Sequence, residues 1–523
     1  MLTSLLFLIA TRPAAAEMVV LNARIWTDGK VIEADSIAVA GGRISYVGKS
    51  TPDLVGPNTV VVNAQNKLLI PGLIDSHAHL VEHGDTLLQL QLREASSKED
   101  FIARVKAYAA NVKQGRWING RGWSAESWPG QEQPTKEWID AVTGDRPAIL
   151  KRMDGHSALV NTAALVHAHI GKDGPPDPPG GVIDRDPVTK EPTGILRDAA
   201  LDLIPVPPST PDEQYEGLLA AIKEANSHGV TAVSDICLIS KFDVWRRYEG
   251  QPEPTIRASL YGDVAGAWSD TVTRIKNWVG VPGWVEAKGV KAYMDGSLGS
   301  RTAFMHEPFT KPLPGKDPRG VPQPGALDGT YAKGFPLAAN AGLQVIAHAI
   351  GDQANHDLLD LYASVPKIVE RRFRVEHAQH LLPADIPRFA QLGVIASMQP
   401  YHKADDGRYA DDIIGPERTK SSYAYRSLLS SGAKLAFGSD WPVVTIDPFA
   451  GINTAVTGKI MTGAIWHPEQ NISFDEALMC YTANGAYAME REKDLGRIAE
   501  GYRADFVILN DWPYQKDLDY AKL

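Results

Sequence analysis

The chain has 523 residues, 44% hydrophobic and 22% charged, a globular composition long enough for one large core and a smaller one, without disorder-like or low-complexity tracts. Its 53 Lys and Arg against 63 Asp and Glu leave a net charge of −10, spread along the chain, which argues against nucleic acid as a partner. Two cysteines, Cys237 and Cys480, exclude a disulfide scaffold and a cysteine-ligated zinc site, so a metal has to be held by histidines and carboxylates. Both cysteines read as small buried apolar residues.

The chain opens on MLTSLLFLIATRPAAAEM. An apolar run from Leu2 to Ala10 followed by Ala14, Ala15 and Ala16 fits a signal peptide over residues 1–16, and hence a periplasmic or secreted protein. No Lys or Arg precedes the run, so a wrongly chosen start and a cytoplasmic protein form the alternative. The run is too short to span a bilayer, and no other stretch approaches a membrane span.

Residues 17–67 contain VVLNARIWT, DSIAVA, RISYVGK and TVVVNA separated by turns, which predicts a small all-β unit. GRIAEGYRADFVILN repeats this pattern near the other end. Residues 494–523 are therefore expected to join residues 17–67 in one β-sandwich formed by both chain ends.

Between them, over residues 68–493, LLIPGLID, GVTAVSDI, TIRASLYG, KGVKAYM, GLQVIAHA, RFRVEHA, GVIASMQ and AKLAFGSD alternate with helical patterns. The fold class is α/β, and eight βα units give the strand number of a TIM (β/α)8 barrel. Two helix starts are signposted as capping boxes, Thr210 with Glu213 and Ser473 with Glu476. About 120 residues separate the first two strands, far beyond an ordinary βα connection, so residues 93–211 are expected to be a lid insertion that shapes a substrate pocket. It holds WINGRGWSAESW, RMDGHSALVN and the Pro/Gly-rich GKDGPPDPPGGVIDRDP.

The chemistry-bearing residues gather at strand ends. His77 and His79 form an H-x-H pair on extended chain, which turns both rings to one face where they can share a metal. His167 and His169 make the same pattern at what reads as a helix end, where they suit the helix dipole instead. His77 and His79 stand out because His348 follows QVIA, His377 follows FRV and Asp440 follows LAFGS, each where barrel enzymes carry their catalytic groups. Imidazoles suit Zn(II) and similar ions, and a carboxylate can accept a proton from water.

The motifs PGLIDSHAHL, RMDGHSALVN, GGVIDRDP with GILRDAA, KAYMDGSLGSRTA, IAHAIGD, RVEHAQ, FGSDWPV and LGRIAEGYRADFVIL together resemble the amidohydrolase superfamily, and within it amidohydrolase family 3 with its N-substituted formamide deformylase-like members. The resemblance implies a distorted TIM barrel with a β-sandwich from both chain ends. Relatives usually carry further strands after ADFVIL, so the terminal sandwich is expected to be incomplete. It implies one or two divalent metal ions, zinc being the expected one, with His77 and His79 on the more buried ion, His348 and His377 on the second, and Asp440 touching metal and shuttling the proton. Lys291 falls where the family carries a lysine that is often carboxylated, so a CO2-derived carbamate is implied. The alternative is an unmodified Lys291 paired with Asp295.

The implied reaction is hydrolysis of an amide or formamide carbon–nitrogen bond in a small-molecule substrate, with Asp440 taking a proton from metal-activated water and passing it to the departing nitrogen. His156 either donates a hydrogen bond to the carbonyl oxygen or is structural within the lid. Arg301 either fixes an anionic substrate or pairs with Asp295. Trp123 and Trp128 either line an apolar substrate pocket or belong to the core. A deaminase, cyclic-amide hydrolase or lyase on the same scaffold, or a metal-free binding protein, are the competing readings, since fold alone does not fix substrate. A homo-oligomer is compatible with all of them.

Overall fold

The computed structural model describes residues 16–523 except 114, 126–127, 154–155, 265, 313–316 and 515–517. The expected signal peptide, apart from Ala16, lies outside the described residues. Contacts divide the chain into two compact units: one holds the chain up to Glu82 together with Ala221–Leu523, the other is His83–Ala220.

The first unit is built on eight parallel strands. They are β1 (Leu73–Ala78), β2 (Val230–Cys237), β3 (Arg257–Asp263), β4 (Val285–Tyr293), β5 (Gln344–Ala349), β6 (Arg374–His377), β7 (Ile395–Met398) and β8 (Lys434–Phe437), hydrogen-bonded in unbroken chain order. Parallel strands covered on both faces read as near-continuous apolar runs, and β6 and β7 are buried at every position. The sheet curls until its edges meet. Ala78 makes a parallel bridge with Trp441, and the His79 amide donates to the Trp441 carbonyl at 3.0 Å. All eight expected barrel strands are present.

One boundary differs from expectation. LLIPGLID is two strands: Leu68–Pro71 pairs with Arg24–Thr27 and, antiparallel, with Phe506–Ile508, and only Leu73–Ala78 enters the barrel. Proline removes a donor and fixes φ. The glycine after it permits a close approach, because a Cβ on Gly72 would lie 2.1 Å from Thr231 Oγ1. The apolar run is continuous because both halves are buried, so hydropathy alone does not reveal the break.

The chain ends form two four-stranded sheets. One has the order Arg43–Gly48, Ser36–Ala40, Met18–Leu21, Val60–Asn63, and the other Phe506–Ile508, Leu68–Pro71, Arg24–Thr27, Lys30–Val31. Val20, Ile37 and Ile44 from the first meet Ile25 and Leu69 from the second in one buried cluster, so the expected sandwich has a shared core. The C-terminal segment contributes Phe506–Ile508 as its strand.

The His83–Ala220 unit has its own sheet of six strands and its own core, in which Phe101, Trp123, Trp128 and Trp138 pack together. Its bounds are close to the expected insertion over 93–211. The Thr210 amide donates to Glu213 Oε2 at 2.7 Å and the Glu213 amide to Thr210 Oγ1 at 3.3 Å, the reciprocal pair expected at the start of the helix Pro211–Ser227. Ser473 and Glu476 form the other capping box, and both cysteines are buried and free. Among the described residues no helix is long and apolar enough to cross a membrane.

Candidate metal centre

His77 ends the inward part of β1 and His79 follows it; Lys291 lies in β4, His348 in β5, His377 at the end of β6, and Asp440 just past β8. Each is at or near the C-terminal end of its strand, and the barrel's closure carries β8 to β1. Gly438 makes that contact possible, since a Cβ there would meet the His77 amide nitrogen at 2.5 Å. Two of these side chains sit on unusual backbone: His377 has φ +76° and Asp440 φ +60°. Such conformations cost about 1–3 kcal/mol each in non-glycine residues and persist where the surroundings enforce them. Here the Asp440 amide is fixed on the His77 carbonyl at 2.6 Å.

The imidazoles are oriented from behind. His77 Nδ1 donates to Glu376 Oε2 at 2.5 Å, His79 Nδ1 to the Ile236 carbonyl at 2.9 Å, and His348 Nε2 to the Gly296 carbonyl at 3.0 Å. An imidazole that donates through one nitrogen presents a lone pair at the other, the tautomer a metal needs. Glu376 is fixed in turn by Arg374, whose Nε lies 2.6 Å from Oε1, both side chains fully buried. Arg374 also reaches the hydroxyls of Ser234 and Ser397 at 3.1 Å and the Ser76 carbonyl. Burial by itself would raise Glu376, but the Arg374 charge and the contact with His77 prevail and hold it down to about 2.

On the ligand side, His77 Nε2 and His79 Nε2 lie 3.2 and 3.1 Å from Asp440 Oδ1. His77, His377 and Asp440 each offer an atom within 4.8 Å of the others'. Lys291 Nζ is 3.4 Å from His77 Nε2, and the His348 and His377 rings are 4.4 Å apart. Burial would raise the Asp440 carboxyl, yet His77 and His79 hold it well below the usual range. Burial, reinforced by His348, keeps His377 well below the usual imidazole range and therefore neutral.

This donor set fits a divalent cation. With His77 and His79 donating through Nδ1, two imidazole lone pairs and a carboxylate oxygen converge at about 3 Å, an arrangement that repels itself until positive charge lies between the atoms. His377 Nδ1 is buried and has no hydrogen-bond partner among the described residues, and an unsatisfied buried nitrogen of this kind is costly in the absence of a ligand. Nitrogen and oxygen donors without thiolate suit zinc and its neighbours.

The remaining expected residues fall elsewhere. Trp123 is 1% exposed, with its indole donating to the Leu150 carbonyl at 2.7 Å, and Trp128 is similarly buried on the Ala95 carbonyl. The expected pocket role for Trp123 is corrected to a core role: both polar indole edges are satisfied internally. Asp295 accepts from the amides of Phe304, Ile350 and Gly351 and lies 3.3 Å from His348. Among the described residues it pairs with neither Lys291 nor Arg301, which corrects both alternatives, because backbone amides already fill its lone pairs. Arg301 has φ +53° and a buried Nε without a partner among the described residues. His156 belongs to the His83–Ala220 unit, with an exposed ring whose Nδ1 is 2.9 Å from Asp198.

Three contributors escaped the sequence reading: Arg374, Glu376 and His402. The first two were signalled by charges at alternate positions of RFRVEH, one strand face that no soluble surface strand would bury. His402 follows β7 in MQPYHK and lies 3.8 Å from Asp440 Oδ2 through its Nε2.

Comparison with known proteins agrees with this architecture. Protein LONG AFTER FAR-RED 3 of Arabidopsis thaliana is 39% identical over 541 residues, covering 98% of this chain and 91% of that protein. N-substituted formamide deformylase of Arthrobacter pascens is 27% identical, covering 95% and 94%. A crystal structure of an uncharacterized metal-dependent hydrolase from Pyrococcus furiosus superposes with a TM-score of 0.76 at 27% identity, covering 95% of this chain and all of that one. The family model described as amidohydrolase family matches residues 60–520. Since that span takes in every barrel strand and every strand-end ligand candidate, the chain belongs to the amidohydrolase family.

Proposed function

We propose that this protein is a metal-dependent hydrolase that cuts a non-peptide carbon–nitrogen bond, an amide or formamide, in a small molecule. The observation that carries the reading is the approach of one carboxylate oxygen, Asp440 Oδ1, to the Nε2 atoms of both His77 and His79 at 3.2 and 3.1 Å. His77, His79, His348, His377, Asp440 and Lys291 would hold one or two ions, zinc or a similar metal, and such an ion supplies an acidified water and a polarised carbonyl oxygen.

Asp440 performs the proton transfer. Its carboxyl is ionised across the physiological range, so it accepts a proton from the attacking water and returns it to the nitrogen as the carbon–nitrogen bond breaks. The products are a carboxylic acid, formic acid from a formamide, and an amine. Support for this substrate class comes from the similarity to N-substituted formamide deformylase over nearly the whole chain.

Lys291 is proposed to carry a carbamate. It is 1% exposed, and among the described residues no carboxylate lies within ion-pair distance. Burial lowers its pKa despite the opposing pull of Glu376 and Asp440, which favours a neutral amine that can add to CO2 with loss of one proton. The carbamate would turn a cation that repels metal into an anion that binds it. Arg301, whose Nε finds no partner among the described residues, is proposed to hold an anionic group of the substrate.

The test is a screen of N-formyl amines, N-acyl amino acids and aryl amides against zinc- or manganese-loaded protein, with amine release as the readout. Chelator-sensitive release from one class is the expected result. A protein that purifies with only traces of divalent metal and hydrolyses none of them would overturn the reading.

A further inference from the structure

Asp440 uses its two oxygens differently. Oδ1 faces His77 and His79, whereas Oδ2 accepts no hydrogen bond among the described residues; its nearest charged-type neighbour is His402 Nε2 at 3.8 Å. That nitrogen is itself buried and without a hydrogen-bond partner among the described residues. A buried nitrogen and a carboxylate oxygen thus stand about 1 Å beyond hydrogen-bond reach of each other.

The His402 ring is held in place from other directions. It lies parallel to the His377 ring, 8° between planes and 6.0 Å between centroids. Its short helix, Pro400–Asp406, follows β7. The helix is tied down through Asp406, which accepts from Tyr409 and Tyr423 at 2.5 Å and from Gln379 at 2.7 Å. These three donors hold the Asp406 carboxylate in place, and the ion-pair partner within reach of His402 is Asp440.

We propose that His402 is a positioning residue for hydrolysis. Its ring donates Nε2–H to Asp440 Oδ2, which fixes the carboxylate so that Oδ1 stays on the His77 and His79 side and the proton transferred by Asp440 travels along one defined direction. β7, which provides none of the expected ligands, thereby joins the site. This inference rests on Asp440 as the proton-transferring group.

The test combines two variants with a readout independent of turnover. In His402→Phe the stacked ring is kept and the donor lost; in His402→Gln a donor is kept. Expected for His402→Phe are unchanged metal content, an unchanged KM, a kcat lower by about 10- to 100-fold as for other lost supports of site groups, and a larger solvent deuterium isotope effect; His402→Gln should recover part of the loss. Nitrogen-15 spectra of histidine-labelled protein should show His402 as the Nε2–H tautomer, with its signal shifted in Asp440→Asn. A wild-type kcat in His402→Phe, or loss of metal from it, overturns the inference. So does a His402 signal indifferent to Asp440→Asn, and that result stands whether or not any amide proves to be a substrate.

Discussion

His77 Nδ1 and Glu376 Oε2 lie 2.5 Å apart, both excluded from solvent and separated by 299 positions in the chain. This contact sets the tautomer of His77 and hence the direction of its lone pair toward Asp440. It also places the negative charge of Glu376 between the Arg374 guanidinium and the liganding imidazole of His77. The structural and chemical roles of the barrel interior therefore meet in one carboxylate.

Glu376→Gln separates those roles. The substitution keeps the shape but removes the charge that balances Arg374, and breaking a buried pair costs about 3–5 kcal/mol. Metal affinity should also fall by about 10- to 100-fold, the usual effect of losing a group that orients a liganding histidine. Urea denaturation and zinc titration measure the two effects; an unchanged zinc affinity would detach Glu376 from the metal site.

Asp440→Asn should fold as the parent does, because the Asp440 amide and its backbone contact with His77 are retained. Turnover should drop by at least about 10²-fold, the lower bound for removing a positioned proton-transfer group. Circular dichroism together with initial rates decides the matter, and full activity in this variant would take Asp440 out of the proton path.

Lys291 provides a spectroscopic test. Protein equilibrated with 13C-labelled CO2 should show a carbamate carbon resonance that is absent from Lys291→Ala, and short carboxylates such as formate or propionate should partly restore metal binding to that variant. If the wild-type spectrum lacks the resonance with metal present, Lys291 is an unmodified lysine.

Acid stability reports on the chain ends. Burial would raise Asp494, but Arg491, Arg43 and Arg503 around it hold it down to about 2, below the ordinary aspartate value of about 3.9. A carboxylate with a depressed folded-state pKa contributes stability that is complete above its unfolded value and is lost as pH falls through the folded one. The loss belongs between about pH 4 and pH 2. Asp494→Asn should be less stable than the parent at neutral pH and lose less on acidification, which thermal melts across that range would show. Equal pH slopes in the two proteins would remove Asp494 from the account.

The barrel and its ligand candidates were legible because their signals are local. Eight buried strands announce themselves as apolar runs, Ser473 and Glu476 cap a helix within four positions, and His77, His79, His348, His377 and Asp440 stand at strand ends. What stayed hidden depends on which strand lies next to which. Glu376 acquires its meaning from His77, His402 from Asp440, and Asp295 from three amides in other segments, none of which its own neighbours in sequence encode. The tryptophans illustrate the same limit, since Trp123 and a pocket-lining tryptophan have the same local pattern and differ only in whether the indole finds an internal acceptor.

Residue order alone thus determined the elements, the direction of the strands and the ends at which chemistry would gather, because periodicity, caps and turns act over a few residues. Closure of the sheet decided the rest. Bringing Gly438 against His77 carries Asp440 to the imidazoles, while Glu376, the Ile236 carbonyl and the Gly296 carbonyl decide which nitrogen of His77, His79 and His348 is free, and these are properties of three-dimensional proximity that no stretch of sequence carries.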